Sequence, residues 1–347
     1  MMEKQRDSNI ELLRIVLMSM IVLTHFYVHG IYNVLDTGPD HTVKEASKVG
    51  WIVVSLIDYH VVCFFFISGY YGIKTKLDSL VNYFVKLVFY AVITYVLWGV
   101  LQYGFELRKF LGPKNLMSNL SPFHFFGGRW WFAESYFYLM FVAPFINKGV
   151  DYIQKRMFAG LLCLFVAFLF LGQKSPFDPL TAIMVYLIGK YLKKWPIRFL
   201  EDKALWVYMT ALLVLLANTI IHIWVCNDLN IRLSTDYNSP IVLIAGVSFF
   251  FVFKNMKMRH KALINWISGG AFGVYLLTDG FLRAKFNAGI VSLCGTNAFV
   301  LAIAAMAITL LLSAFNGFLN LVIMEPTSKL LSNMIKKLRF TVLNLES

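Results

Sequence analysis

Apolar residues along this chain come in long blocks rather than in the short amphipathic stripes of a soluble fold. Crossing a hydrocarbon core of about 30 Å takes roughly 20 predominantly apolar residues. About ten blocks meet or approach that length: 10–29, 51–73, 80–103, 129–147, 157–172, 179–194, 204–225, 239–254, 264–285 and 296–323. A membrane barrel would instead alternate apolar and polar positions over about ten residues, a pattern absent here. The sequence therefore predicts an all-α polytopic membrane protein with about ten transmembrane helices. The first block is too long for a signal-peptide core, carries Glu11 and Arg14, and lacks a small-residue cleavage site, so it reads as a retained span.

The loops between blocks set the orientation. One set holds Lys4, Arg6, Lys74, Lys76, Lys148, Lys155, Arg198, Lys257, Lys336 and others; the opposite set holds about half as many cations, among them Lys44, Arg108, Arg129 and Lys174. Cytoplasmic loops carry the excess, so both termini are expected in the cytoplasm. Every tryptophan falls within a turn or two of a block end, where amphipathic rings settle at the membrane interface. No linker or low-complexity tract divides the chain, so residues 1–347 read as a single membrane-embedded domain without a separate soluble one.

Composition narrows the function classes. The 347 residues are 59% hydrophobic and 15% charged, with a mean hydropathy of +0.66. Those values exclude a soluble nucleic-acid binder in spite of the net charge of +13, which is mostly cytoplasmic loop charge. Four scattered cysteines without a C-x-x-C pair exclude a disulfide scaffold and structural zinc, although Cys226 and Cys294 are candidates for one external bridge. No metal motif, P-loop or dinucleotide fingerprint is present, and no metal is expected.

Ionisable residues inside a span are costly and point by default to function. In the first span Arg14 and His25 stand eleven residues apart, which places them within about 20° of one another and roughly 16 Å apart along a helix. Glu11 lies one turn below Arg14, and His29 one turn above His25. The stripe suggests a lined path with a titratable imidazole at depth. A bland alternative stays open, in which Glu11 and Arg14 are an interfacial pair and His25 an interior histidine. The second span ends in Ser68-Gly69, which admits close helix packing or a slender ligand. The fourth opens with Gly127-Gly128-Arg129-Trp130-Trp131-Phe132-Ala133-Glu134. Glu134, at about the expected depth of His25, can orient an imidazole or bind a sugar hydroxyl, or it can pair with Arg129 at the interface. Asp279 and Arg283 read as a local salt bridge, and for His60, His124 and His222 solvation or core packing accounts for each about as well as chemistry does.

Several of these elements resemble the acyltransferase-3 family of integral membrane O-acyltransferases, which includes bacterial surface-polysaccharide O-acetyltransferases. The most specific match is the R-x10-H of the first helix, Arg14 to His25. Phe64-Phe65-Phe66-Ile67-Ser68-Gly69, Trp131-Phe132 through Pro144-Phe145-Ile146-Asn147, Tyr186-Leu187-Ile188-Gly189 and Phe272-Gly273-Val274-Tyr275 also look similar, over nearly the whole chain. The chain departs where many members carry a late histidine: here stand Thr278 and Asp279. Lys86 matches one member of a basic pair whose partner falls near Phe89.

The resemblance implies transfer of an acyl group, usually acetyl from cytoplasmic acetyl-CoA, to a hydroxyl of a cell-surface polysaccharide or lipid-linked glycan. The setting it implies is the bacterial cytoplasmic membrane. Lys74, Lys76 and Lys86 would then meet the CoA phosphates, with Ser68 beside them. Arg14 would guide the pantetheine arm or a carbonyl oxygen, His25 would act as general base, and Glu134 or Glu11 would orient its ring. From another class, the polar stripe also fits a permeation path in a transporter or flippase for a glycan precursor. An assembly subunit that has lost catalysis is a third reading.

Overall fold

The computed structural model describes residues 7–31, 48–120, 130–175, 177–228 and 231–345, and every regular element among them is helical. Helix α1 (Ser8–His25) runs on into a π turn at Phe26–Gly30. Helices α2 (Lys48–Ile57) and α3 (His60–Tyr71) are two halves of one apolar segment, broken at Asp58 and Tyr59. Then come α4 (Leu77–Tyr103), α5 (Pro113–Leu120), α6 (Trp131–Tyr152), α7 (Lys155–Leu171) and α8 (Pro179–Lys194). Short α9 (Arg198–Asp202) precedes α10 (Ala204–Ile220), which ends in a π turn at Ile221–Cys226. One-turn α11 (Arg232–Thr235), α12 (Pro240–Lys254), α13 (Ala262–Asp279), α14 (Arg283–Cys294), α15 (Ala298–Leu319) and α16 (Glu325–Leu345) complete the order.

Local chemistry explains several boundaries. Asp178 accepts the Leu180 N–H at 2.8 Å with Pro179 in the first helical position, and Asn297 accepts the N–H groups of Phe299 and Val300. Both are N-caps that satisfy donors a helix leaves orphaned at its start. Among the described residues six segments are long and apolar enough to cross a membrane: Ser8–Gly30, Lys48–Tyr71, Leu77–Tyr103, Ala204–Cys226, Arg232–Lys254 and Ala298–Lys337. Helices also fill the other four blocks of the sequence pattern, but α7 and α8 are shorter and α6 and α13 more polar. Along α10 and α15, Leu213, Phe299 and Leu311 face outward while Thr219, Thr309, Ser313 and Asn316 are buried. Apolar outside and polar inside is the arrangement a lipid environment demands. Cys226 and Cys294, like the other two cysteines, are free thiols. Lys4, Arg6, Lys44, His124 and Arg129 lie outside the described residues.

The conspicuous motifs of α3, α6 and α8 meet at one crossing. A Cβ on Gly69 would collide with the carbonyl oxygen of Tyr186, and one on Gly189 would stand 2.7 Å from the Tyr70 nitrogen, so α3 and α8 touch backbone to backbone. Pro144 has no N–H, which leaves the carbonyl of Met140, four residues earlier, without its helical donor. The Thr75 hydroxyl supplies one at 2.6 Å. The Asn147 amide donates to the Ile73 carbonyl at 3.0 Å, and the Tyr186 hydroxyl both donates to Asn147 Oδ1 at 2.8 Å and accepts the Ile73 N–H at 3.1 Å. These bonds fix the 72–76 connection, which carries Lys74 and Lys76. Tyr186→Phe leaves two polar groups without partners, an expected loss of about 1–3 kcal/mol. Thermal melting of the purified protein, with a clear fall in midpoint, is the check; an unchanged midpoint would remove the clamp.

Candidate active site

The face of α1 that bears Arg14, Met18, Ile21, His25 and Val28 borders two cavities in succession. The first has a volume of about 470 Å³ and is lined by Arg14, Ser68, Asn82, Lys86, Ser268 and Glu325 among others. The second has about 610 Å³, with His25, His29, Asp58, His60, Asp279 and Arg283 in its wall. Phe132 lines both. Its ring packs against Phe64, Phe65, Tyr136 and Tyr275 at centroid distances of 4.9–6.4 Å, making an aromatic partition between the two spaces.

In the first cavity, Arg14 donates to Glu11 Oε1 at 3.3 Å, and the Ser268 hydroxyl donates to the other Glu11 oxygen at 2.6 Å. Glu11 is thereby tied to α13 and holds Arg14 by one end, while the guanidinium keeps the cavity at the other. Lys86 enters from α4. Ser68 donates to the Phe64 carbonyl at 3.2 Å, an intrahelical bond that leaves its oxygen lone pairs available.

In the second cavity, His25 sits where α1 turns into its π turn. Gly30 lets α14 close on that turn: a Cβ there would stand 2.8 Å from the Asn287 carbonyl oxygen. The α13–α14 junction is thus brought alongside α1. His25 Nε2 lies 3.9 Å from Asp279 Oδ1, and Arg283 Nη1 lies 3.6 Å from the same oxygen. His25 Nδ1 is buried with no hydrogen-bond partner. The His29 ring centroid is 5.4 Å from that of His25. A gap of 3.9 Å is too long for a direct bond, but it admits one hydroxyl oxygen at ~2.8 Å from each side. His25, His29 and Asp279 also present donor atoms within 4.8 Å of one another, a spacing that can hold a metal ion, although the Arg283 guanidinium opposes a cation there.

The structure separates the residues singled out in the sequence. Arg14, Ser68 and Lys86 share the first cavity and His25 lines the second. Lys74 and Lys76 are exposed on the connection outside both linings. Glu134 lines neither cavity and accepts from the Tyr138 hydroxyl at 3.2 Å, so it stands apart from the imidazole it was expected to orient. The carboxylate beside His25 is Asp279, read from the sequence as the partner of Arg283, a pairing it also makes. Nothing in the spacing of residues so far apart in the chain signals their meeting.

Comparison with family models decides the class: the acyltransferase-3 model, described as an acyltransferase domain, matches residues 7–316. The chain belongs to the acyltransferase-3 family. No curated protein and no solved structure matches it. The family carries acyltransferase activity, and the six apolar segments make this member a multi-pass membrane protein. Every residue of the His25 cavity lies inside the matched stretch, whereas Asn320 and Glu325 of the Arg14 cavity lie beyond it. In this acyltransferase two cavities share Phe132 as a wall, one with Arg14 and Lys86 in its lining and the other with His25 and Asp279.

Proposed function

We propose that this acyltransferase moves acetyl from cytoplasmic acetyl-CoA to a hydroxyl of a bacterial surface polysaccharide or lipid-linked glycan, with His25 as general base. The observation that carries the reading is the pair of cavities divided by Phe132. The arginine and lysine stand on one side of that partition, and the imidazole with its carboxylate on the other. In this reading about ten helices span the cytoplasmic membrane, both termini are cytoplasmic, and the Arg14 cavity opens to the cytoplasm. Arg14 and Lys86 attract the anionic donor and Ser68 borders its thin arm, while Lys74 and Lys76 raise the local concentration of phosphate near the entrance.

The acceptor enters the His25 cavity with its hydroxyl between Nε2 and Asp279. The hydroxyl oxygen forms the new ester C–O bond at the thioester carbonyl as the C–S bond breaks. Its proton passes to His25 Nε2 and from there to the leaving sulfur, giving CoA thiol. Asp279, held by Arg283, orients the imidazole and stabilises the imidazolium while it exists. No metal takes part in this scheme.

Two variants test the division of labour in a purified transfer assay with labelled acetyl-CoA and base-de-esterified glycan from the producing cells. Lys86→Ala is expected to raise KM for acetyl-CoA about tenfold, the loss of one charge-assisted contact of about 1.4 kcal/mol, and to leave the KM of the glycan alone. Asp279→Asn is expected to lower kcat by about 10–100-fold with little change in either KM. If wild type acetylates no glycan while it moves glycan across vesicles, the transporter reading replaces this one.

A further inference from the structure

A second imidazole–carboxylate pair faces the same cavity from another wall. The segment formed by α2 and α3 is interrupted at Asp58 and Tyr59, and the break turns Asp58 and His60 toward the space that His25 lines from α1. Both are nearly buried, at 7% and 2% exposure. His60 Nδ1 is engaged by the backbone, 2.9 Å from the Val61 nitrogen and 3.1 Å from the Asp58 carbonyl oxygen, so Nε2 is the ring nitrogen left for a ligand. That nitrogen lies 4.0 Å from Asp58 Oδ1. The Tyr237 hydroxyl donates to the same carboxylate oxygen at 3.2 Å. Among the described residues no lysine or arginine pairs with Asp58. A break in a membrane span that exposes a carboxylate and an imidazole to a cavity is expensive to maintain for packing alone.

The ring of Tyr237 is stacked on Trp131, at 5.5 Å and 15°, and Phe177 meets both edge-on at 4.9 and 5.8 Å. Trp131, Tyr237 and Phe177 line the cavity beside Asp58 and His60. A carboxylate acceptor and an imidazole nitrogen next to a flat aromatic group match what a sugar ring offers: an apolar face and adjacent hydroxyls that both donate and accept. The lining carries the carboxylates of Asp58, Asp236 and Asp279 against the guanidinium of Arg283, and Asp236 is held from outside the lining by Arg232 at 2.6 Å. A further carboxylate on the ligand would meet repulsion there.

We infer that Asp58 and His60, with the Trp131–Tyr237 stack, form a subsite that holds a vicinal diol of a neutral sugar ring and so fixes which hydroxyl of the acceptor reaches His25. Asp58 accepts from one hydroxyl and His60 Nε2 bonds its neighbour, as donor or acceptor according to the tautomer, while Tyr237 keeps the carboxylate in place. These are positioning residues; the proton transfer stays with His25. The inference rests on the reading that the acceptor is a glycan, and it extends that reading to the class of sugar and to its orientation.

The test compares wild type with Asp58→Asn, His60→Phe, His60→Gln and Tyr237→Phe, each as the full chain in nanodiscs. Transfer kinetics use the base-de-esterified glycan. Binding is read from tryptophan fluorescence, since Trp51 and Trp131 line the cavity, with methyl glycosides of neutral hexoses and of the corresponding uronic acids as probes. His60→Phe and Asp58→Asn are expected to raise the acceptor KM at least tenfold, with kcat and the acetyl-CoA KM moving less than threefold. His60→Gln places an amide, with both a donor and an acceptor, near the position of Nε2 and is expected to recover most of the affinity. Tyr237→Phe loosens Asp58 without deleting it, and an intermediate KM is expected. Neutral glycosides should quench the fluorescence of wild type and uronides should not.

An unchanged acceptor KM would overturn the inference, and so would a fall in kcat alone. A lowered melting midpoint with unchanged sugar binding would make the pair structural and overturn it as well. The fluorescence arm needs no turnover: a wild type that transfers nothing yet binds neutral glycosides through His60 sinks the transferase reading and leaves the sugar site standing.

Discussion

His25→Ala is expected to lower acyl transfer by about 10²–10⁴-fold, the usual contribution of a positioned general base, while the protein reaches the membrane at its normal level. The two halves of that expectation have separate grounds. His25 Nε2 lies 3.9 Å from a carboxylate in a cavity wall, with room between them for the atom that loses a proton. His25 Nδ1, in contrast, makes no hydrogen bond, so truncation at Cβ breaks none at that nitrogen. The ring also borders open space already, so its removal enlarges an existing cavity rather than creating one within a packed core. The measurement is labelled acetyl transferred to glycan per unit of immunoblotted protein. A rate within a few fold of wild type would take His25 out of the chemistry. A lost signal on the blot would instead make His25 a folding residue, and His25→Gln would then separate volume from basicity.

How much of this was legible in the sequence depends on the range of the interaction. The Arg14–His25 register needed only the pitch of one helix, and the structure does place both on a single face of α1. What pitch cannot show is that Phe132, from a distant helix, stands in the wall of both spaces, so that one stripe borders two cavities. The all-helical class followed from block length, and among the described residues six segments have both the length and the apolarity to span. Helices α7 and α8 are short because their blocks, 157–172 and 179–194, are already short in the sequence. Glu134 shows the limit of depth as a guide. Depth along one span does not say which cavity a side chain borders: Glu134 accepts from Tyr138, and Asp279, from α13, lies beside His25. The Asp58–His60 break was hidden for a similar reason: two polar residues in an apolar block look like tolerated exceptions until the cavity beyond them is seen. Motif residues such as Asn147 and Tyr186 were visible as a pattern, but their shared task of fastening the 72–76 connection appears only in the hydrogen bonds.

Adjacent glycines in α13 give the last prediction, which has the largest expected effect on folding. A Cβ on Gly270 would lie inside the van der Waals shell of the Ser313 carbonyl oxygen and 2.8 Å from the Gly317 nitrogen, whereas a Cβ on Gly269 would meet nothing within 4 Å. The atoms in the way at Gly270 are backbone of α15, so no rotamer change relieves the clash and the two helices must separate. Close crossings through small residues are a principal source of adhesion between helices in lipid, where the hydrophobic effect contributes little. Asn316 strengthens this one by donating to the Gly270 carbonyl at 3.3 Å while it accepts from Tyr90 at 2.9 Å. Overpacking ordinarily costs about 1–3 kcal/mol, and a backbone collision belongs at or above the top of that range, a large part of a margin of about 5–15 kcal/mol. Because α13 carries Ser268 at the first cavity and Tyr275 and Asp279 at the second, its displacement disturbs both. Gly270→Val is therefore expected to abolish the monodisperse peak in detergent size exclusion, and Gly270→Ala to lower the melting midpoint clearly. Gly269→Ala, which gains about 1 kcal/mol of helix propensity, is expected to match or exceed the wild-type midpoint. Equal midpoints for the two alanine variants would mean that α13 and α15 do not touch at Gly270, and the placement of Asp279 beside His25 would lose its structural support.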